Sequence, residues 1–170
     1  MHQSNIRTAL ACLLLTPVVV LAQVPGGIQL ENATFDGHDA SGTCGPAKVE
    51  ITGVDADNTT DTPHLIRDYG ATVRIQSAGK TLVVGDGGTS AVLLQNQNKV
   101  HCSATPSGPR LVVAAYCFSK YCLPISYTVI DPATLLVISQ GIDGECDELC
   151  ATKALGSPLP ADLTRSLNGS

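Results

Sequence analysis

The sequence predicts a mainly β fold, a single antiparallel sheet or meander (sandwich- or barrel-like) with one disulfide-tethered C-terminal helix. Three observations carry that expectation. Short alternating or β-branched runs are separated by frequent Gly, Pro, Asn and Asp turns. Only the stretch from Asp143 to Gly156 has helix start and stop signals around apolar positions spaced three and four apart. The seven cysteines become an even set once the N-terminal segment carrying Cys12 is removed.

That segment, residues 1–22, reads as a secretory signal peptide. Arg7 supplies the cationic start, Ala9 to Leu21 the apolar run, and Val20-Leu21-Ala22 the small-residue cut before Gln23. The run falls short of the ~20 residues that cross a bilayer, so no membrane span is expected in the mature chain. A lipoprotein-type cut at Cys12 would leave Leu13 to Leu21 stranded on the mature protein. Residues 23–170 are read as a single β-rich, disulfide-stabilised domain, large enough to bury a core. Export to the periplasm or the extracellular space implies disulfides rather than free thiols.

The elements follow in order. Ala47 to Thr52 alternates apolar and polar residues and is a half-buried strand, as is Ala71 to Gln76. Ser77-Ala78-Gly79-Lys80 turns the chain into Thr81–Val84, making a hairpin. Gly85 to Gly88 is a second turn, leading into a strand over Ser90–Leu94 and another over Lys99–Cys102. Arg110 to Tyr116 is apolar enough for a central strand. Ile125–Ile130, the turn Asp131-Pro132-Ala133-Thr134 and Leu135–Ser139 complete a meander. A β-propeller needs at least four blades of about forty residues, more than this chain supplies. Asp36 to Gly45 and Asp55 to Asp68 are expected to be irregular.

In the helix, Asp143 is the expected cap and Gly156 with Pro158 the stop. Cys146, Leu149, Cys150 and Ala154 form its inward face, and Ala161 to Leu167 a further short helical turn. Two cysteines one helical turn apart point the same way. Cys146 and Cys150 are therefore expected to tie the helix to the sheet through Cys44 and Cys102. The alternative pairs Cys44 with Cys102 and distorts the helix to close Cys146–Cys150. Cys117 and Cys122 bracket a connection between antiparallel strands, where facing residues stand close enough for a bond. Zinc is the rival reading of the spacings Cys-x4-Cys and Cys-x3-Cys, but structural zinc sites favour a tighter Cys-x2-Cys.

Charge narrows the partners. The net charge is −5, and one unit more negative without Arg7. With no basic stripe, the chain lacks the footprint that nucleic acid requires. A protein partner of basic character suits it better, because opposite charge speeds encounter.

Candidate chemistry is sparse, and no cofactor is implied. Asp36-Gly37-His38-Asp39 offers a histidine between two carboxylates, an arrangement suited to a metal or a general base. His64 and His101 have no partner visible in the sequence, and no Gly-x-Ser-x-Gly marks an activated serine. Asp55 to Asp61 spaces oxygen ligands as a hard cation wants, but Thr60 and Ile66 stand where an EF-hand needs Gly and Glu. Asn32-Ala33-Thr34, Asn58-Thr59-Thr60 and Asn168-Gly169-Ser170 fit the glycosylation triplet.

The aromatics point elsewhere. Tyr116, Phe118, Tyr121 and Tyr127 cluster in a chain that has no Trp. A Cys117–Cys122 bond would display Phe118, Lys120 and Tyr121 on a stapled hairpin tip, the kind of rigid anchor that makes a binding hot spot. No catalytic residue is assigned. The expected function is an exported protein-binding module of the inhibitor or immunity type. A small hydrolase or metal-dependent enzyme using His38 with Asp36 or Asp39 is the second possibility, and a structural envelope component the third.

Overall fold

The computed structural model describes residues 27–52, 72–84, 97–116, 125–139 and 146–164. They form three layers: two five-stranded sheets face to face, and helices on the outer face of one of them. The mainly β expectation holds, in its sandwich-like form.

The first sheet is a plain antiparallel meander of β2 (Glu31–Phe35), β3 (Ala40–Cys44), β4 (Ala47–Thr52), β5 (Thr72–Ser77) and β6 (Lys80–Val84). Its logic is the period-two alternation. Ala47, Val49 and Ile51 of β4, with Val73 and Ile75 of β5, turn inward and are fully buried. Lys48, Glu50 and Arg74 take the other face, where Lys48 Nζ and Glu50 Oε1 pair at 2.7 Å. That face carries the polar half of the pattern. Ala78 and Gly79 close the β5–β6 hairpin with φ of 47° and 75°, the pair of positive angles that a tight two-residue turn demands.

The second sheet runs β1 (Ile28–Gln29), β7 (Gln97–Thr105), β8 (Gly108–Tyr116), β9 (Ile125–Asp131) and β10 (Leu136–Val137). Only β1 is parallel to its neighbour, β7. β8 is the central strand, as its apolar run predicts. Leu111 and Val113 enter the core between the sheets, while Val112 and Ala114 enter the core beneath the helices. A strand buried on both faces needs apolar residues at every position.

The chain crosses from one sheet to the other at Leu30, between β1 and β2. Gly42 of β3 makes room for it, since a Cβ there would stand 2.7 Å from Leu30 Cβ and 2.9 Å from the Glu31 carbonyl. The disulfide Cys44–Cys102 joins β3 to β7 at this corner, with Cα atoms 5.3 Å apart. A second link lies between Ser77 Oγ, which donates to the Ala133 carbonyl at 3.2 Å, and the β9–β10 turn. The residues 36–45, expected to be irregular, instead contain β3. Ser41, Gly42 and Thr43 carry no apolar alternation, and pairing with β2 on one side and β4 on the other makes them a strand.

Helix α1 (Glu148–Leu155) begins later than its sequence signals indicate. The Cys146 carbonyl accepts from Tyr127 N at 2.8 Å, so Cys146 runs alongside β9 and lies outside the helix. Asp147 then caps, its carboxylate accepting from Cys150 N at 2.8 Å. The C-terminal end is as expected: Gly156 takes φ 68° and donates to the Thr152 carbonyl. With Cys146 outside the helix, the inward face is Ala151 and Leu155, and Leu149 is 77% exposed rather than buried.

The same shift corrects the disulfide expectation. Of the two expected pairings the structure has the alternative: Cys44 bonds Cys102 and Cys146 bonds Cys150, Cα atoms 5.3 Å apart in each, rather than Cys146 and Cys150 tying the helix to the sheet. Cys146 lies outside the helix and Cys150 in its first turn, so the parallel Cβ directions that disfavour a bond between two cysteines of one helix do not apply. Cys117 and Cys122 lie outside the described residues, as do the strand expected over Ser90–Leu94, the Asp55–Asp61 loop and His64. Among the described residues, no helix is long and apolar enough to cross a membrane.

Candidate functional site

The sequence singles out two places for function, and the structure adds a third. Phe118, Lys120 and Tyr121 belong to the 117–124 connection, outside the described residues. β8 and β9 pair residue for residue from Leu111↔Ile130 to Tyr116↔Ile125, and the connection leaves from that last pair.

Asp36, Gly37, His38 and Asp39 form the β2–β3 turn, closed by the pair Phe35↔Ala40. Asp36 Oδ1 accepts from His38 N at 2.9 Å and from Asp39 N at 2.7 Å. Those two backbone donors, Asp39 first, hold the Asp36 carboxyl below its ordinary value. His38 Nδ1 lies 2.7 Å from Asp39 Oδ1, and the imidazole is 79% exposed. The residues predicted to act together are thus adjacent, but Asp36 spends its carboxylate on capping the turn. A depression of about 350 Å³ lies beside this turn, its lining including the apolar Phe35 and Ile51 and the acidic Asp36, Asp39 and Glu50. Among the described residues, no group of three His, Cys, Asp or Glu side chains converges as a metal would need. Cys44, Cys102, Cys146 and Cys150 are bonded in pairs, which leaves these four without the thiolates that zinc takes.

The third place is a polar cluster where the short helix α2 (Ala161–Thr164) meets β1 and β7. Val100 turns into the core between the sheets, so His101 turns to the helical side, where it is 1% exposed. Its Nε2 lies 3.1 Å from Asp162 Oδ2 without closing a hydrogen bond to it. Gln29 Nε2 donates to the same Oδ2 at 3.0 Å, and Lys99 Nζ donates to the Asp162 carbonyl. Tyr127 OH adds a fourth hold, donating to the Leu163 carbonyl at 3.0 Å.

Desolvation is the largest influence on His101 and pushes its pKa down; Asp162 opposes that shift and Lys99 adds to it. Burial likewise raises the Tyr127 phenol to about 12, with a smaller push from Glu148. Ser103, two residues along the same face of β7, has a buried Oγ with no hydrogen-bond partner. Nothing in the sequence signals this cluster. His101 and Asp162 are far apart in the chain, and no spacing rule links a strand residue to a helix that docks on it.

Compared with known proteins, the chain matches no family model, no curated protein and no solved structure.

Proposed function

We propose that this protein is an exported binding domain that recognises another protein through Phe118, Lys120 and Tyr121. Cleavage after Ala22 releases it as a single domain into the periplasm or the extracellular medium. What supports the reading is the register of the strands on either side of residues 117–124: β8 and β9 pair as far as Tyr116↔Ile125, within a sandwich cross-linked by Cys44–Cys102. Anchors on a stiff scaffold lose little entropy on binding, so aromatic side chains there yield the most affinity. A Cys117–Cys122 bond would stiffen the tip further. The net charge of −5 favours a basic partner.

The test is affinity for a partner recovered with the protein from its own exported fraction. Phe118→Ala and Tyr121→Ala should each weaken binding by about 2 kcal/mol, roughly thirtyfold, as hot spots do. Thermal stability should stay within a degree or two of wild type (~0.5 kcal/mol). Unchanged affinity in both variants refutes the assignment.

A further inference from the structure

We propose that the depression beside the β2–β3 turn is a docking pocket for an arginine or lysine side chain of a basic protein partner. That the guest belongs to a protein rests on the function proposed above. The pocket and its preference for a cation rest on the fold.

Three contacts fix how the two sheets lie on each other. Cys44 bonds Cys102, a Cβ on Gly45 would stand 2.5 Å from Pro109 Cγ, and Ser77 Oγ donates to the Ala133 carbonyl. They bring the turns that follow β3 and β5 to the end of the second sheet where β7 turns into β8 and β9 into β10. Sheets with strands alongside one another gather their connections at two poles. At the other pole lie Phe35↔Ala40 and Thr52↔Thr72 of the first sheet, with Gln97↔Tyr116 and Tyr116↔Ile125 of the second. The depression therefore sits at the pole from which residues 117–124 leave, and a partner held there reaches it.

The lining selects a cation with an alkyl stem. It joins the apolar Phe35 and Ile51 to the carboxylates of Asp36, Asp39 and Glu50, and includes no lysine or arginine. Asp36 accepts from two backbone N–H groups, which favour its ionised form and leave its charge in place. Lys48 pairs with Glu50 and His38 with Asp39 from outside the lining, and the lysine offsets one of the three charges. Beyond the pocket, residues 53–71 join the same pole at Thr52 and Thr72 and carry Asp55, Asp57, Asp61 and Asp68 against a single arginine, Arg67. A volume of about 350 Å³ is near the small end for a ligand site and suits one side chain. A long stem covers the apolar surface while its charged head meets the carboxylates. An apolar guest would desolvate those carboxylates without pairing them, and an anion would be repelled.

The test is an NMR titration of the isotope-labelled full chain with a capped tri-arginine peptide at about 0.15 M salt. Saturable shifts should appear at the amides of residues 34–41 and 50–52, and a capped tri-glutamate peptide should produce none. Asp39→Asn with Glu50→Gln should weaken the peptide about tenfold, as the loss of charged hydrogen bonds does. Glu31→Gln removes a carboxylate of β2 that lies outside the lining and should leave the affinity unchanged. Phe118→Ala with Tyr121→Ala should also leave it unchanged, so the pocket and the aromatic hot spot fail separately. Shifts without saturation, equal binding of tri-glutamate, or an equal loss in Glu31→Gln overturns the pocket. Against the partner recovered from the exported fraction, Asp39→Asn with Glu50→Gln should again cost about tenfold. Unchanged partner affinity overturns the docking role even where tri-arginine binds.

Discussion

Cys44 and Cys102 are bonded across the two sheets at the corner where the chain itself crosses between them at Leu30. β1 and β7 pair in parallel through Gln29↔His101, which puts Leu30 next in register to Cys102. β3 brings Cys44 to the same end. One covalent and one main-chain connection thus pin the sandwich at a single edge.

The two disulfides should therefore differ in weight. Cys44–Cys102 closes a loop with a sequence separation of 58, and Cys146–Cys150 one of only 4. By loop-closure entropy, Cys44→Ala with Cys102→Ala should cost about 4 kcal/mol, and Cys146→Ala with Cys150→Ala about 2 kcal/mol. Denaturant unfolding of the two double variants checks the order.

Gly42→Ala should be costly even though Gly42 lies only partly buried in an ordinary strand. The added methyl meets Leu30 Cβ at 2.7 Å and the Glu31 carbonyl at 2.9 Å, neither of which is the end of a flexible side chain. A loss of about 1–3 kcal/mol is expected from the overpacking, read as a lower denaturation midpoint.

Asp147→Ala removes the cap of α1 and leaves Cys150 N without its acceptor. The expected loss is about 1 kcal/mol, with helical signal lost from the first turn. Asp147→Asn should recover most of it, because an amide oxygen can also cap.

Tyr127→Phe removes the hydrogen bond from the phenol to the Leu163 carbonyl and should cost about 0.5–1.5 kcal/mol. The wild type should also lose stability in alkali. The phenol titrates at about 12 when folded and at about 10 when unfolded, so the unfolded chain releases its proton first. This contribution is intact below pH 10 and declines as pH rises above it. Tyr127→Phe should flatten that part of the stability–pH curve.

Strands β4 to β9 were legible because each buries side chains in an alternating or continuous apolar pattern that marks it locally. β1 to β3 were not. Ser41, Gly42 and Thr43 owe their strand to neighbours on both sides and to the space that Leu30 requires. For α1 the stop was readable at Gly156, whose left-handed conformation is a local property. The start was not, because Asp143 and Asp147 are equally good caps and a hydrogen bond from Tyr127 to Cys146 selects between them. The disulfide pairing followed that selection.

The candidate sites divide along the same line. His38 and its two aspartates are neighbours in sequence, so their meeting was predictable, though the use of Asp36 as a turn cap became visible only in three dimensions. His101 and Asp162 meet only because α2 docks on β7.

Disulfide mapping by non-reducing peptide mass spectrometry, on protein recovered from its own exported fraction, is the most direct test of the account. A cross-linked, exported sandwich predicts a chain beginning at Gln23, with Cys44 linked to Cys102, Cys146 to Cys150 and Cys117 to Cys122. Free thiols, an uncleaved leader, or a peptide joining Cys146 or Cys150 to Cys44 or Cys102 would contradict it.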